Sequence, residues 1–195
     1  MYNSEVRRSH LLSVEYPILS SPVVHSVHIY EDSHALISRL CAIVSISLRT
    51  GDSVLVVATA EHREELLKEL RGCGLNVTRH AREGRYTMLD ASQTLATFMR
   101  DGMPDAERFS AVVGPLLGQA SASARGKEKR LTVFGEMVAV LWEAGNKEGA
   151  LQLEGLWNNA LASRAFHLHC AYPHPHMFTD QELEAVRSAH SHLVQ

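Results

Sequence analysis

Cysteine is scarce and unpaired in this sequence. Cys41, Cys73 and Cys170 are the three it has; they lie far apart and form no CxxC pair. An odd, scattered set argues for reduced thiols in a cytoplasmic protein. A basic excess is missing as well: 19 Lys and Arg face 22 Asp and Glu, a net charge of −3 with histidine neutral. Phosphate contacts supply most nucleic-acid affinity, so direct nucleic-acid binding is not expected. The longest basic cluster, Arg125 to Arg130, is short, contains Glu128 and reads as a solvated loop. No stretch approaches the ~18 consecutive apolar residues of a membrane span. Near the start, Arg7 and Arg8 are followed by Glu15 and Pro17, which interrupt the apolar stretch too soon for a signal peptide.

Two motifs are also absent. A phosphate-binding loop after the first strand needs GxxxxGK[ST], so that glycine amides and a lysine can hold phosphates. The connection there is Tyr30-Glu31-Asp32-Ser33-His34, with no glycine, no lysine and two carboxylates where phosphates would sit. The lookalike at Ser121 to Glu128 lacks the first glycine, ends in an acid and joins a helix to a strand. There is no GxSxG turn, and Cys170 falls inside a strand rather than on a reactive elbow, so neither serine nor cysteine hydrolase chemistry finds support.

What is present is a regular alternation. At 195 residues and 45% hydrophobic content, one compact domain with a core is expected. Val23 to Tyr30 reads as a strand, followed by a capped helix with Leu36, Ile37, Leu40, Ile43, Val44 and Leu48 at helical spacing up to Gly51. Val54 to Ala58 is an apolar strand, and Thr59 caps a helix ending at Gly72-Cys73-Gly74. Val77 to Leu89 is expected to hold one or two short strands around Glu83-Gly84. Helices follow near 92–100 and 105–124, then a strand at Leu131 to Phe134 and a helical stretch broken at Gly145-Asn146. The last strand is Phe166 to Tyr172, and Asp180 or Thr179 caps a final helix. Such alternation predicts right-handed crossovers and a three-layer α/β sandwich with a mostly parallel central sheet. The domain is expected over 23–173, with a leader over 1–22 and a C-terminal helix or connector over 174–195.

In parallel sheets ligands sit beyond the carboxyl ends of the strands. At the first such end His28 and Tyr30 share one strand face, with Glu31 and Asp32 following. They read either as a polar pocket corner or as a core histidine beside acids that favour the helix start. Glu136, just past the fourth apolar strand, reads equally as a ligand-holding acid or as a helix cap. In the last strand Phe166, Leu168, Cys170 and Tyr172 share one face and His167 and His169 the other. Cys170 there reads first as a small core residue. Six of the 12 histidines lie between His167 and His192. HxH pairs can bind zinc, nickel or copper, but the spacing matches no standard zinc module. Adventitious binding is therefore the expectation, and no metal ligand or cofactor is assigned.

The ordered set His28-Ile29-Tyr30-Glu31-Asp32, Val54 to Thr59, Phe134-Gly135-Glu136-Met137 and Cys170-Ala171-Tyr172-Pro173 resembles the MEDS family. This methanogen/methylotroph sensory domain is similar to the sensor half of a dichloromethane-responsive transcriptional regulator. Gly84-Arg85-Tyr86, Asp90-Ala91, Leu141-Trp142 and Leu156-Trp157 fit the same pattern, which spans about residues 25–173. The resemblance implies a RecA-like or KaiC-like core that has lost its phosphate loop. It also implies a sensory role toward small hydrocarbon derivatives. Position by position, it carries over to His28, Tyr30, Glu31, Gly135, Glu136, Cys170 and Tyr172. The implied output partner is a histidine kinase or a transcription regulator, and Ala189-His190-Ser191-His192 resembles the connector into a kinase region. The sequence stops at Gln195, so a free-standing sensor and one cut before its output domain both stand.

The expected function is therefore a non-catalytic small-molecule sensor, cytoplasmic and a candidate homodimer. Its ligand would be held by His28, Tyr30, Glu31, Glu136, Cys170 and Tyr172. Two alternatives remain: a residual nucleotide-binding RecA-like switch or ATPase in which Glu136 positions water, and a metal or redox sensor using the C-terminal histidines and Cys170.

Overall fold

Capping side chains mark where the helices start. In the computed structural model, which describes residues 24–173 and 175–194, strand β1 (Val24–Tyr30) runs into Asp32. The Asp32 carboxylate accepts the His34 amide and opens helix α1 (Ser33–Arg49). The expected leader over 1–22 lies outside the described residues. Gly51 ends α1 with a φ of +89°, where a side chain would be strained and would meet the backbone of Gly126. Strand β2 (Ser53–Ala58) is buried at every position, and Thr59 accepts the His62 amide to start α2 (Ala60–Gly72).

The stretch after α2 differs from the expectation. Val77–Arg82 is a short helix, α3, because the Asn76 side chain accepts the Arg79 amide and caps it. Buried Arg85 then donates to the carbonyls of Leu48 and Asp52 and to Glu83, which fixes the turn around Gly84. Only the second half of the stretch is a strand, β3 (Tyr86–Asp90).

Asp90 caps α4 (Ala91–Phe98), and a small antiparallel hairpin of β4 (Met99–Arg100) and β5 (Met103–Pro104) leads to α5 (Ala106–Ser123). Strand β6 (Leu131–Gly135) precedes α6 (Met137–Glu143), and the expected break separates it from α7 (Lys147–Ser163). Strand β7 (His167–Pro173) and α8 (Asp180–Ala189) follow. The sequence pattern shows no strand after α8, yet His192–Val194 forms β8 by pairing with Ser26 to His28 of β1.

The six strands of the main sheet lie in the order β3-β2-β6-β7-β1-β8, and every pairing between them is parallel. Alternation sorts the side chains into two cores. On one face Tyr30, Val54, Val56, Ala58, Phe134 and Ala171 pack under α1 and α2. On the other, Val27, Leu55, Val57, Val133, Leu168, Cys170 and Tyr172 pack under α4 to α8, with Trp142 and Trp157 among the largest buried side chains. The molecule is a three-layer α/β sandwich. All carboxyl ends share one edge, where β2 sends its crossover toward β3 and β6 sends its own the other way, toward β7. The chain therefore diverges between β2 and β6, whose ends are level at Val57 and Gly135.

Candidate functional site

Glu136 stands at that point of divergence. It occupies the cap position of α6 but makes no side-chain cap bond, so the helix-cap reading does not hold. Its fully buried carboxylate turns to β2 instead: Oε2 accepts the Thr59 amide at 2.9 Å, and Oε1 accepts a hydrogen bond from His62 Nδ1. That hydrogen bond raises the His62 pKa above its usual value against the opposing effect of burial. The result is a buried His62–Glu136 pair in which the hydrogen bond favours the protonated imidazole.

Tyr30 closes the group from β1, its ring edge-on to that of His62 with centroids 5.8 Å apart. Burial, then the charges of Glu136, Glu143 and Glu61, push its phenol well above the ordinary range, so it remains a neutral donor. His28 lies one strand repeat back, 6.5 Å from the Tyr30 ring; burial and then Arg39 lower its pKa to about 4, which keeps it neutral. Glu31 is exposed at the rim beside Asp32. Farther along the edge, Arg63 of α2 reaches Asp90 at the end of β3 across 2.7 Å. The edge thus carries several acids, with Arg63 held by Asp90 and Arg39 as the cation that acts on His28.

Cys170 and Tyr172 do not join this group, because alternation turns them to the other face of the sheet. They meet a second buried cluster. Glu154 of α7, fully buried, accepts the Tyr172 hydroxyl at 2.9 Å and the Cys170 thiol at 3.4 Å. His25 Nε2 lies 3.3 Å from Glu154 Oε2 and 3.4 Å from Cys170 Sγ, and His190 Nε2 lies 3.3 Å from Glu154 Oε1. Burial opposes ionisation of Glu154, but the His190 and His25 imidazoles that face it outweigh burial and hold its pKa near 2. Burial and then Glu154 raise the Cys170 thiol. Four donor atoms, from His25, Glu154, Cys170 and His190, lie within 4.8 Å of one another.

The six residues singled out in the sequence therefore divide into His28, Tyr30, Glu31 and Glu136 at the carboxyl edge, and Cys170 and Tyr172 on the opposite face. His62 and Glu154 lie outside the motifs of the sequence. Glu154 had a signal: Ala150, Leu153 and Trp157 form an apolar stripe on α7, and this acid lies within it. His62 had only its place in the first turn after a strand end. Among the described residues clefts open elsewhere, and three of them are not lined by Tyr30, His62 or Glu136. A groove of about 360 Å³ lies between α5 and α7, lined by Phe109, Val113, Leu117, Leu156 and Arg164. Another of about 310 Å³ lies at the opposite edge of the sheet, lined by Asp52, Lys127, Arg130 and His167.

Fold and site together define a doubly wound parallel α/β domain whose strand-end loops carry acids and imidazoles in place of a phosphate-binding turn. Within that class, the family model of MEDS, described as MEthanogen/methylotroph, DcmR Sensory domain, matches residues 24–191, and the chain belongs to this family. MEDS is a family of sensory domains, so membership gives the chain a sensory role in signalling. No curated protein matches the sequence. Among the described residues, no helix is long and apolar enough to cross a membrane.

Proposed function

We propose that the chain is a non-catalytic sensory domain whose small-molecule ligand binds at the carboxyl edge of the sheet, among His28, Tyr30, Glu31, His62 and Glu136. The observation that carries this reading is Glu136. It is a buried acid at the point where two crossovers diverge, and it declines its helix-cap role to hold the first turn of α2. A ligand that competes for Glu136, His62 or the Tyr30 hydroxyl changes how α2 and α6 are joined. Differential affinity for the joined and parted arrangements is what a sensor requires. The acids around Tyr30 favour neutral or cationic guests, in line with the small hydrocarbon derivatives implied by the family resemblance. They also repel a triphosphate, which weighs against the nucleotide-switch alternative, and the glycine-free turn at Glu31-Asp32 supports descent from a RecA-like core that lost its phosphate loop. The output is passed to a histidine kinase or transcription-regulator partner.

Thermal unfolding of the full chain against short alcohols, halogenated one-carbon compounds, methylated amines and ATP with magnesium tests the reading. A guest at 100 times its Kd stabilises by about 2.7 kcal/mol, a shift of about 5–10 °C for a chain of this size. The expected result is a saturable shift from a neutral or cationic compound that is lost in Tyr30→Phe and Glu136→Gln. No shift across the set, or submillimolar ATP binding, overturns it.

A further inference from the structure

We propose that His25, Glu154, Cys170 and His190 form a binding centre for a borderline divalent metal ion of the zinc type. The proposal is independent of the carboxyl-edge ligand site. The donors come from β1, α7, β7 and the residue that ends α8, and they converge from both sequence termini of the described fold.

Hydrogen bonds fix which nitrogen each imidazole presents. The Asn158 amide group donates through Nδ2 to the Ala189 carbonyl, so its Oδ1 is the atom 2.9 Å from His25 Nδ1. An oxygen that only accepts requires His25 Nδ1 to donate. The Val186 carbonyl, 2.6 Å from His190 Nδ1, sets the same rule there. Both rings, when neutral, therefore turn an Nε2 lone pair inward. His190 Nε2 is buried with no hydrogen-bond partner, although it faces Glu154 Oε1 across 3.3 Å. Two lone pairs and a carboxylate then face one another, with the Cys170 thiol and the Tyr172 hydroxyl as the protons supplied to Glu154; the two imidazole nitrogens are left to a cation or to extra protons.

The distances suit a metal. Bonds of about 2.0–2.3 Å to nitrogen, oxygen and sulfur give tetrahedral edges of about 3.3–3.8 Å. Four of the six separations match these edges: 3.3 Å for His25 and 3.4 Å for Cys170 to Glu154 Oε2, 3.3 Å for His190 to Glu154 Oε1, and 3.4 Å for His25 to Cys170; the whole set lies within 4.8 Å, so a bound ion would draw the remaining pairs closer. On binding, the Cys170 S–H bond breaks, its proton leaves to solvent and the thiolate pair forms the metal–sulfur bond. Thiolate and carboxylate then cancel the dication, so the centre is neutral in an apolar core. Asn158, the Val186 carbonyl and the Tyr172 hydroxyl supply the outer hydrogen bonds that orient metal ligands. Because Ser191, next to His190, bonds to His25 through both its amide and its hydroxyl, the metal would clamp α8 and β8 onto β1. Its occupancy would thus be readable at the C-terminal segment.

The test uses untagged full-length protein, stripped with chelator and titrated with Co(II) and then Zn(II). One equivalent of Co(II) is expected to give tetrahedral visible bands and a thiolate charge-transfer band, both displaced by Zn(II), with slower amide exchange in α8 and β8. Cys170→Ala removes the charge-transfer band, and Asn158→Ala, a positioning variant, weakens Zn(II) binding by about 10–100-fold. A His176→Ala/His192→Ala double variant leaves the spectrum unchanged. If Cys170→Ala does not fold, His190→Ala, at the end of a helix rather than in the sheet, must lose Co(II) affinity instead. A spectrum without thiolate character, binding abolished by the His176/His192 variant, or no binding at all overturns the proposal and leaves protons as what holds the cluster.

Discussion

The Thr59 amide and the Glu136 carboxylate, 77 positions apart in sequence, are joined by a 2.9 Å hydrogen bond that bridges the ends of β2 and β6. The bond uses the backbone donor of the residue that caps α2 and the side chain at the cap position of α6. The same carboxylate carries the His62 contact, so one residue fixes the start of two crossovers that leave the sheet in opposite directions.

Glu136→Ala is accordingly expected to cost about 3–5 kcal/mol, the usual penalty for removing one partner of a buried charge pair. Glu136→Gln retains an acceptor for Thr59 and should cost less. Urea unfolding measures both. A fall in midpoint with an unchanged m-value is the expected form, and a loss below 1 kcal/mol in Glu136→Ala would show that the bridge carries little of the fold.

The His62–Glu136 pair also sets a pH dependence. The folded state raises the His62 pKa above the 6.5 of a free imidazole, chiefly through the Glu136 hydrogen bond. Folded protein therefore binds the proton more tightly than unfolded protein. The stabilisation is complete below pH 6.5 and is lost as pH rises through the folded pKa. His28 and His169 have lowered pKa values and act on the acid side, and both are retained in a His62→Gln variant. The stability difference between wild type and His62→Gln should thus be largest in mildly acidic buffer and shrink as pH rises. A difference that grows with pH would contradict the ion pair.

The alternation of strands and helices could be read from the sequence because it is written locally. Asp32, Thr59 and Thr179 announce helix starts, and the apolar run Val54 to Ala58 announces a strand covered on both faces. Parts that depend on partners far away were not readable. Val77–Arg82 has a local start in its Asn76 cap, but the turn that ends it is tied to α1 by Arg85, a contact no local pattern displays. Strand β8 has three residues and exists through pairing with β1. Glu136 is legible by its place at a strand end, but His62 is not, since its partner is chosen by the strand order that sets β2 beside β6. Cys170 and Tyr172 join Tyr30 in the expected site only through the family resemblance, whereas strand alternation directs them to the opposite face.

On that opposite face, Tyr172→Phe removes the hydroxyl that donates to Glu154 Oε1 at 2.9 Å while preserving the ring that packs edge-on against Trp142. No cavity opens, so the loss isolates a hydrogen bond to a buried carboxylate, about 1.5–3 kcal/mol. Chemical denaturation of the variant checks this. A neutral outcome would mean that Glu154 finds another donor.

The end of the fold is held with fewer contacts. In α8 the sole fully buried residue is Val186, and the helix relies on its start: Thr179 accepts the Glu182 amide while Glu182 accepts the Thr179 amide, a reciprocal capping box. Lys147 of α7 reaches Glu182 at 2.8 Å, so the same acid also ties α8 to α7. Thr179→Ala should cost about 1 kcal/mol, felt first as local opening of α8 rather than as global unfolding. Hydrogen exchange is the suitable measurement: amides of α8 should exchange about fivefold faster, with those of β2 and β6 unchanged. Equal acceleration throughout the sheet would show that α8 opens only with the whole molecule. That result would remove the C-terminal segment as a separately movable element through which a bound ligand or metal could be read.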